Sequence, residues 1–457
     1  MIKNRVQLVE NGSSDLFRRL RSDVCDIFEA GLRAVDPEKA IYNSLRLEAG
    51  ALLFEGGSLD LGKIDRIFVI GGGKAGGLMA KAVENLLGDR ISSGVINVLE
   101  GTEDAISLDR ICLNGASHPV PSQSGVKGVK QMLELTERLS EDDLVITLIS
   151  GGGSALMPLP MEGISLDDLQ DVTGKLLRSG ATINELNAVR KHLSGFKGGR
   201  LARHCSPAYV LSLILSDVIN DPLDTIASGP TAPDDSTYVD AFGVLEKYGF
   251  FDEMPEQVKS CIRAGIKGEL PETPKRGDIV FNHVYNVLVA NNSIAAKAAK
   301  RKAEDLGYNS MVLSTSIEGE ARQVGVYVSD IAKEIIKNDR PQRKPAAIIL
   351  GGETTVTVKG SGTGGRNLEL ALSASLSLDC ISCLIATLGT DGIDGPTEAA
   401  GAFIDGTTLK RADQKELDPV KYLENNDSYS FFREIGDIII TGPTGTNVND
   451  LALILVI

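Results

Sequence analysis

Six glycine-dense stretches, most of them following a short apolar run and preceding a helical pattern, set the terms on which this chain folds. They are Gly71–Gly77 (GGGKAGG), Ser150–Ser154 (SGGGS), Gly195–Arg200 (GFKGGR), Gly351–Thr355 (GGETT), Gly360–Asn367 (GSGTGGRN) and Gly442–Thr446 (GPTGT). Glycine lets the backbone turn through positive φ and lets N–H groups approach a ligand closely. A helix N-terminus behind such a turn offers unpaired N–H groups and a positive dipole end to an anion. The apolar runs before the loops are short, rich in Val, Ile and Leu, and bounded by glycine. Strands buried on both faces of a parallel sheet read this way, so the chain is an α/β protein. Several such loops with Lys and Arg embedded suit a ligand with more than one phosphate or carboxylate group.

At 457 residues the chain exceeds one ordinary core, and two α/β domains are expected. The first, 1–272, holds predicted strands at 67–70, 95–99, 144–148 and 210–215, with helices at 74–87 and 123–139. A helical stretch at 166–204 is broken near Gly180 and Gly195. Lys267–Asp278, with Pro271, Pro274 and charges of both signs, reads as the linker. The second domain, 279–457, opens on a strand at 284–290. It continues with strands at 311–315, 347–350, 355–358, 384–388 and 438–440, helical material up to about Phe432, and the apolar run Leu451–Ile457. Ligands of open α/β sheets sit beyond the carboxyl ends of the strands, where the glycine loops fall. A cleft between the domains is the expected active site.

Lys and Arg number 47 against 62 Asp and Glu, a formal net charge of −15. Such a field disfavours nucleic acid and anionic membranes as partners. An anionic ligand must then meet local cations, which the loops carry. Met1–Asp23 has no apolar signal core and no apolar run approaches a membrane span, so cytoplasmic residence is the default. The six cysteines are scattered; Cys380–Cys383 is a lone CxxC, and with four histidines in the chain the thiols read as buried rather than metal-binding or redox-active.

Gly71-x-Gly73-x-x-Gly76 after the first strand matches the dinucleotide fingerprint, with Glu100 at the distance of a ribose-binding acid. A nicotinamide-dependent dehydrogenase is therefore a rival reading. Lys74 speaks against it, because a lysine at a helix N-terminus opposes the dipole unless an anion lies between them. Neither a Walker A sequence nor the protein-kinase motif set is present. Ser150-Gly151-Gly152-Gly153-Ser154 is built to approach phosphate oxygens with backbone N–H groups. On one helical face fall Asn187, Arg190, Lys191 and Ser194, with Glu185 the only acid between Asn184 and Arg200. Arg366, at the first turn of a helix, has the cation shape best suited to grip a phosphoryl group. Asp391 and Asp394 at a strand end, and Asp217 with Asp221 in the first domain, suit Mg²⁺ or a base, or else Asx-turns and helix caps.

Taken in order, Gly-Gly-Gly-Lys74-Ala, Ser117-His118-Pro-Val-Pro, Ser150-Gly-Gly-Gly-Ser154, Asn184–Arg200, Leu215-Ser-Asp217-Val, Ser228-Gly-Pro-Thr, Gly351-Gly-Glu353-Thr-Thr, Gly364-Gly-Arg366-Asn367, Gly389-Thr-Asp391-Gly-Ile-Asp394-Gly and Thr441–Val448 resemble the glycerate 2-kinase family. The resemblance runs from about Phe17 to Leu455. It implies a Rossmann-like N-terminal glycerate kinase domain with a mainly parallel sheet, followed by a C-terminal domain containing a MOFRL region (about 345–455). Lys74 and Arg366 then fall on the family's catalytic cations. One departure is visible: Leu368 stands where the family usually has Gln after the Arg-Asn pair.

The resemblance implies ATP-dependent phosphorylation of D-glycerate to 2-phosphoglycerate, with ATP and Mg²⁺ or another divalent cation. Lys74, Arg366 and Asp217 are the expected catalytic residues. Gly71, Gly72, Gly73, Ser150, Gly151, Gly152, Gly153, Ser154, Glu353 and Asn367 are expected around the nucleotide. His118, Arg190 and Lys191 are expected at the glycerate, and Asp391 and Asp394 at the metal, with Asp217 and Asp391 interchangeable as base or metal ligand. The partners expected are glycerate and ATP, and a second copy of the chain in a homodimer. The alternatives are an NAD(P)H-dependent hydroxypyruvate reductase using Gly71, Gly73, Gly76 and Glu100, and a non-catalytic sensor of sugar phosphates.

Overall fold

In the computed structural model, which describes residues 1–378 and 382–457, Pro37–Val289 forms one unit and Met1–Asp36 joins Ala290–Ile457 to form the other. This differs from the expected division at a linker near 267–278. That segment is tied down within its own unit. The carboxylate of Glu272 lies 2.8 Å from His192 Nε2 and accepts the Tyr238 N–H at 3.1 Å, while Thr273 Oγ1 donates to Asp234 at 3.0 Å. Prolines and mixed charge there signal an ordered loop.

The N-terminal helix Asp15–Ala34 has its own reason for joining the distant C-terminal segment. Its apolar face buries Phe17, Leu20, Val24, Ile27, Phe28 and Leu32, and it packs on the helix Asn292–Asp305. From the same helix the fully buried Arg21 donates to Asp437 at 2.6 Å, to Asp405 at 2.7 Å and to the Leu8 carbonyl at 3.0 Å. A guanidinium is tolerated at such depth only when paired and hydrogen-bonded.

The Pro37–Val289 unit begins with a small antiparallel sheet, β1 (Arg46–Glu48), β2 (Ala51–Phe54) and β3 (Gly57–Asp60). Its main sheet contains β4 (Arg66–Gly72), β5 (Ile91–Leu99), β6 (Ile111–Ala116), β7 (Asp143–Ile149), β8 (Tyr209–Leu215) and β9 (Val284–Ala290). Their spatial order is β6-β5-β4-β7-β8-β9, and the pairs from β6 through β8 are parallel. This is the Rossmann strand order, which reverses direction between β4 and β7. Residues 284–290 form the strand expected, but at the edge of this sheet rather than at the start of the second domain.

The other unit carries β10 (Asn309–Ile317), β11 (Ala346–Gly352), β12 (Cys383–Gly389), β13 (Gly401–Asp405), β14 (Ile438–Ile439) and β15 (Asp450–Val456), ordered β10-β11-β15-β12-β13-β14. The sheet is mixed: β10 and β11 are parallel, whereas β15 lies antiparallel to both β11 and β12. The strand expected at 355–358 is a loop, touching the fold through one bridge between Glu320 and Thr355. There the Glu320 carboxylate takes the N–H of Thr357 at 3.1 Å, so a side chain does the work of a neighbouring strand. The material expected to be helical up to Phe432 is interrupted by the fully buried β13. Of the thiols, Cys25, Cys205, Cys261 and Cys383 are buried as expected; Cys112 is exposed, and Cys380 lies outside the described residues. Burial raises Cys25 and Cys205 to about 12, so neither is a ready nucleophile.

Candidate active site

The reversal between β4 and β7 places two glycine loops side by side. The Lys74 N–H donates to the Gly151 carbonyl at 2.9 Å, the Ala75 N–H to Ser150 Oγ at 3.1 Å, and the Ser150 N–H to the Gly72 carbonyl at 3.3 Å. Gly73 and Gly76 also donate within the protein, to Asn97 and Gly73 carbonyls. The backbone donors from Gly73 to Gly76, expected around phosphate, are therefore consumed in bracing the loops. Among the described residues, the N–H groups of Gly151, Gly152 and Ser154 donate to no protein acceptor. The anion-binding backbone thus belongs to the loop after β7.

Three side chains gather around that loop. Gly152 has φ 80°, and a Cβ there would stand 3.1 Å from His118 Cδ2 and 3.3 Å from Lys74 Cγ. A Cβ on Gly151 would overlap the Asp217 carboxylate. Lys74 is exposed and has no ion-pair partner among the described residues. Burial, and then the charge of Lys74, lowers the pKa of His118 and keeps its imidazole neutral. Burial raises the pKa of Asp217, while its own backbone N–H and Lys74 restrain the rise. Glu100, by contrast, is exposed and accepts from Ser117 Oγ at 3.0 Å.

The helix Ile183–His192 starts at a capping box in which Thr182 and Glu185 exchange hydrogen bonds, which occupies the only acid of that stretch. Lys191 is buried with its Nζ 3.1 Å from Asp224 and 3.2 Å from Asp234, so its charge is already answered. It was expected at the glycerate, and these two ion pairs leave it less charge to offer a carboxylate. Arg190 has no ion-pair or hydrogen-bond partner among the described residues, and burial lowers its pKa to about 10. Lys197 is buried too and donates to the Met157 carbonyl at 3.0 Å. Burial, then the charge of Arg190, lowers Lys197 to about 7. Ser154 Oγ lies 2.9 Å from Ser228 Oγ, which donates to Asn187 Oδ1 at 3.0 Å. Among the described residues, Arg190 and Lys197 are thus cations with no carboxylate partner, and Lys197 feels the charge of Arg190. Lys197 went unread because a lysine within Gly-Phe-Lys-Gly-Gly looks like part of a loop.

The Ala290–Ile457 unit presents Arg366 at the first position of the helix Arg366–Ser375. Asp450 grips it in a fork, with Nε at 2.6 Å from Oδ2 and Nη2 at 2.9 Å from Oδ1, and Nη1 lies 3.2 Å from the Glu353 carboxylate. Asp450, which no sequence motif singled out, fixes the plane of the guanidinium. Asp394 is buried and caps the same helix from outside. Its Oδ1 accepts the Asn367 N–H at 3.0 Å and the Asn367 amide at 3.3 Å, and its Oδ2 accepts the Leu368 N–H at 2.8 Å. Burial raises its pKa to about 6. Both oxygens of Asp394 thus cap the helix, and the side-chain amide of Asn367 donates to it. Leu368 is fully buried in the hydrophobic core, so the departure from Gln falls on the core side of the helix. Asp391 accepts the Ile393 N–H on Oδ1 at 3.1 Å, an Asx-turn.

Among the described residues no three His, Cys, Asp or Glu side chains gather as a metal cage. Nor, among those residues, is any helix long and apolar enough to cross a membrane.

Residues 23–263 match the family model described as a domain of unknown function, DUF4147, and residues 346–450 match the MOFRL family. The chain is 44% identical to the D-glycerate 2-kinase of Thermotoga maritima over 96% of its own length and 99% of that protein. It is 41% identical to the glycerate 2-kinase of Pyrococcus horikoshii, over 94% of this chain and 98% of that one. A crystal structure of glycerate kinase from Thermotoga maritima superposes with a TM-score of 0.87 at 43% identity, covering 96% of this chain and 100% of that chain.

Proposed function

The chain belongs to the glycerate 2-kinase family, kinases built from DUF4147 and MOFRL domains, and on that premise we propose that it transfers the γ-phosphoryl group of ATP to the 2-hydroxyl of D-glycerate. The observation that supports this most is Lys74, a cation without a counter-ion beside the free N–H groups of Gly151, Gly152 and Ser154. A dinucleotide loop needs no such cation.

Phosphoryl transfer asks a protein chiefly to position groups and to stabilise charge on the equatorial oxygens. Lys74 and the free N–H groups hold the nucleotide phosphates. Asp217, with a pKa raised by burial, accepts the proton of the attacking hydroxyl. His118, neutral beside Lys74, hydrogen-bonds the acceptor. Arg366, held flat by Asp450, stabilises the group in transfer. Magnesium that arrives on phosphate oxygens needs only one or two protein carboxylates, and Asp391, with Oδ2 uncommitted, fits that demand. Bound there, the ion would neutralise phosphate charge. The acidic composition and the use of ATP fit a cytoplasmic enzyme.

The test is ADP release with ATP, Mg²⁺ and D-glycerate, run beside NADH or NADPH oxidation with hydroxypyruvate. Kinase turnover alone is expected, and Glu100→Ala should leave it intact. Steady nicotinamide oxidation without ADP release overturns the reading.

A further inference from the structure

One polar cluster of the Pro37–Val289 unit gathers side-chain donors that the protein itself leaves partly unanswered. Lys197 and Asn187 are each 3% exposed, and the Asn187 amide nitrogen is buried without a partner. The Oδ1 of Asn187 is engaged by Ser228, whose hydroxyl also meets Ser154, so the unpaired nitrogen is fixed in orientation. Arg190, one helical turn beyond Asn187, adds a guanidinium without an ion-pair partner. Among the described residues no carboxylate acts on Lys197, whereas Arg190 does; its Nζ donates to the Met157 carbonyl, and Ser194 Oγ accepts its backbone N–H at 3.3 Å. Lys191, from the same helix as Asn187 and Arg190, is instead answered by two carboxylates, Asp224 and Asp234. A buried lysine, a half-buried arginine and an orphaned amide cost folding free energy, and that cost persists only where something else recovers it.

We propose that Asn187, Arg190 and Lys197 form a preformed oxyanion subsite that takes the carboxylate of glycerate. The proposal rests on the glycerate kinase reading and assigns the acceptor end of it. A small carboxylate suits the cluster better than a nucleotide phosphate does. The exposed Lys74 and the free backbone N–H groups are placed for a bulky polyphosphate, whereas Asn187 and Lys197 are buried side chains, with Asn187 held by Ser228. Two carboxylate oxygens can accept all three donors. The bound anion also restores full charge to Lys197, so glycerate binding at pH 8 takes up a proton and weakens as pH rises further.

The experiment measures KM for glycerate and for ATP in the full-length parent, Lys197→Met and Asn187→Ala, with calorimetric titration of glycerate in buffers of differing ionisation heat. Losing a hydrogen bond to a charged group raises the glycerate KM about 10- to 100-fold in each variant. KM for ATP stays put, and proton uptake disappears in Lys197→Met. That variant should melt no lower than the parent, because methionine fills the volume without an unpaired charge. A rise in the KM for ATP instead assigns the oxyanion to the nucleotide and overturns the proposal. Unchanged glycerate KM and proton uptake make Lys197 structural and overturn it as well. Glycerate binding with Lys197-dependent proton uptake, in a parent that releases no ADP, keeps the subsite and sinks the kinase reading alone.

Discussion

Replacing Asp450 by Asn preserves the shape of the side chain that holds Arg366 but removes the charge and turns one acceptor into a donor. In the parent both oxygens accept from the guanidinium, at 2.6 and 2.9 Å. In the variant one of these contacts sets an amide N–H against a guanidinium N–H, and the fork opens. Breaking a fully buried pair costs about 3–5 kcal/mol. Here the side chains retain 26% and 12% exposure, and Glu353 still holds Nη1, so about 2 kcal/mol is expected once solvent screening is allowed for. The kinetic effect is larger in relative terms, because a misplacement of about 1 Å at a reacting group costs about 100-fold in turnover. Steady-state kinetics should show kcat falling by about that factor with KM for ATP little changed. Chemical denaturation supplies the stability change separately. The double variant Asp450→Asn/Arg366→Ala should be no slower than Arg366→Ala, since Asp450 acts through the guanidinium. Parental kcat in Asp450→Asn, or losses that multiply in the double variant, would refute this reasoning.

Lys74 and Arg366 should fail differently. Lys74→Ala weakens ATP binding together with turnover, whereas Arg366→Ala lowers kcat by about 1000-fold with KM nearly unchanged, and Arg366→Lys recovers little; a raised KM with parental kcat would reduce Arg366 to a binding residue. Burial lifts Asp394 from 3.8 to about 6, so the folded state keeps this proton to higher pH than the unfolded chain. Its contribution to stability is therefore fully favourable below about pH 4 and declines by ~3 kcal/mol as pH rises through 6. Denaturation midpoints at pH 5 and 7 should show this slope in the parent and not in Asp394→Asn; equal slopes reject the assignment. Lys191→Met strands the buried Asp234 and should cost about 3 kcal/mol of stability, read from the denaturation midpoint, and an unchanged midpoint would return Lys191 to the list of free cations.

The parallel sheet was legible because its two middle strands, β4 and β7, are short apolar runs that lead into glycine loops. β7, buried at every position, is the plainest case. β13 escaped notice because Gly401–Asp405 follows an alanine-rich segment and spans five residues, too few for a period to emerge. The site was legible where a residue breaks a local rule, as Lys74 does at a helix start. It was not legible where a pairing partner decides the role. Lys191 and Lys197 are both lysines on one basic stretch, and only Asp224 and Asp234 tell them apart. Asp394 likewise reads as one of a pair of loop acids, and its capping bonds to the N–H groups of Asn367 and Leu368 show only in three dimensions. Asp450 stands 84 residues from the arginine it orients, beyond the reach of any local pattern.

Arg21 finds its partners at Asp405 and Asp437, 384 and 416 residues further along the chain. During synthesis, then, the helix Asp15–Ala34 leaves the ribosome long before the groups that neutralise Arg21. Pro37–Val289 can close on itself as soon as it emerges, being continuous in sequence. Met1–Asp36 must meanwhile stay tethered and unsatisfied, with its apolar face open to chaperones or to the wrong partner. The order of folding is therefore inner segment first and outer pair last, and the slow step belongs to the closure of that long loop.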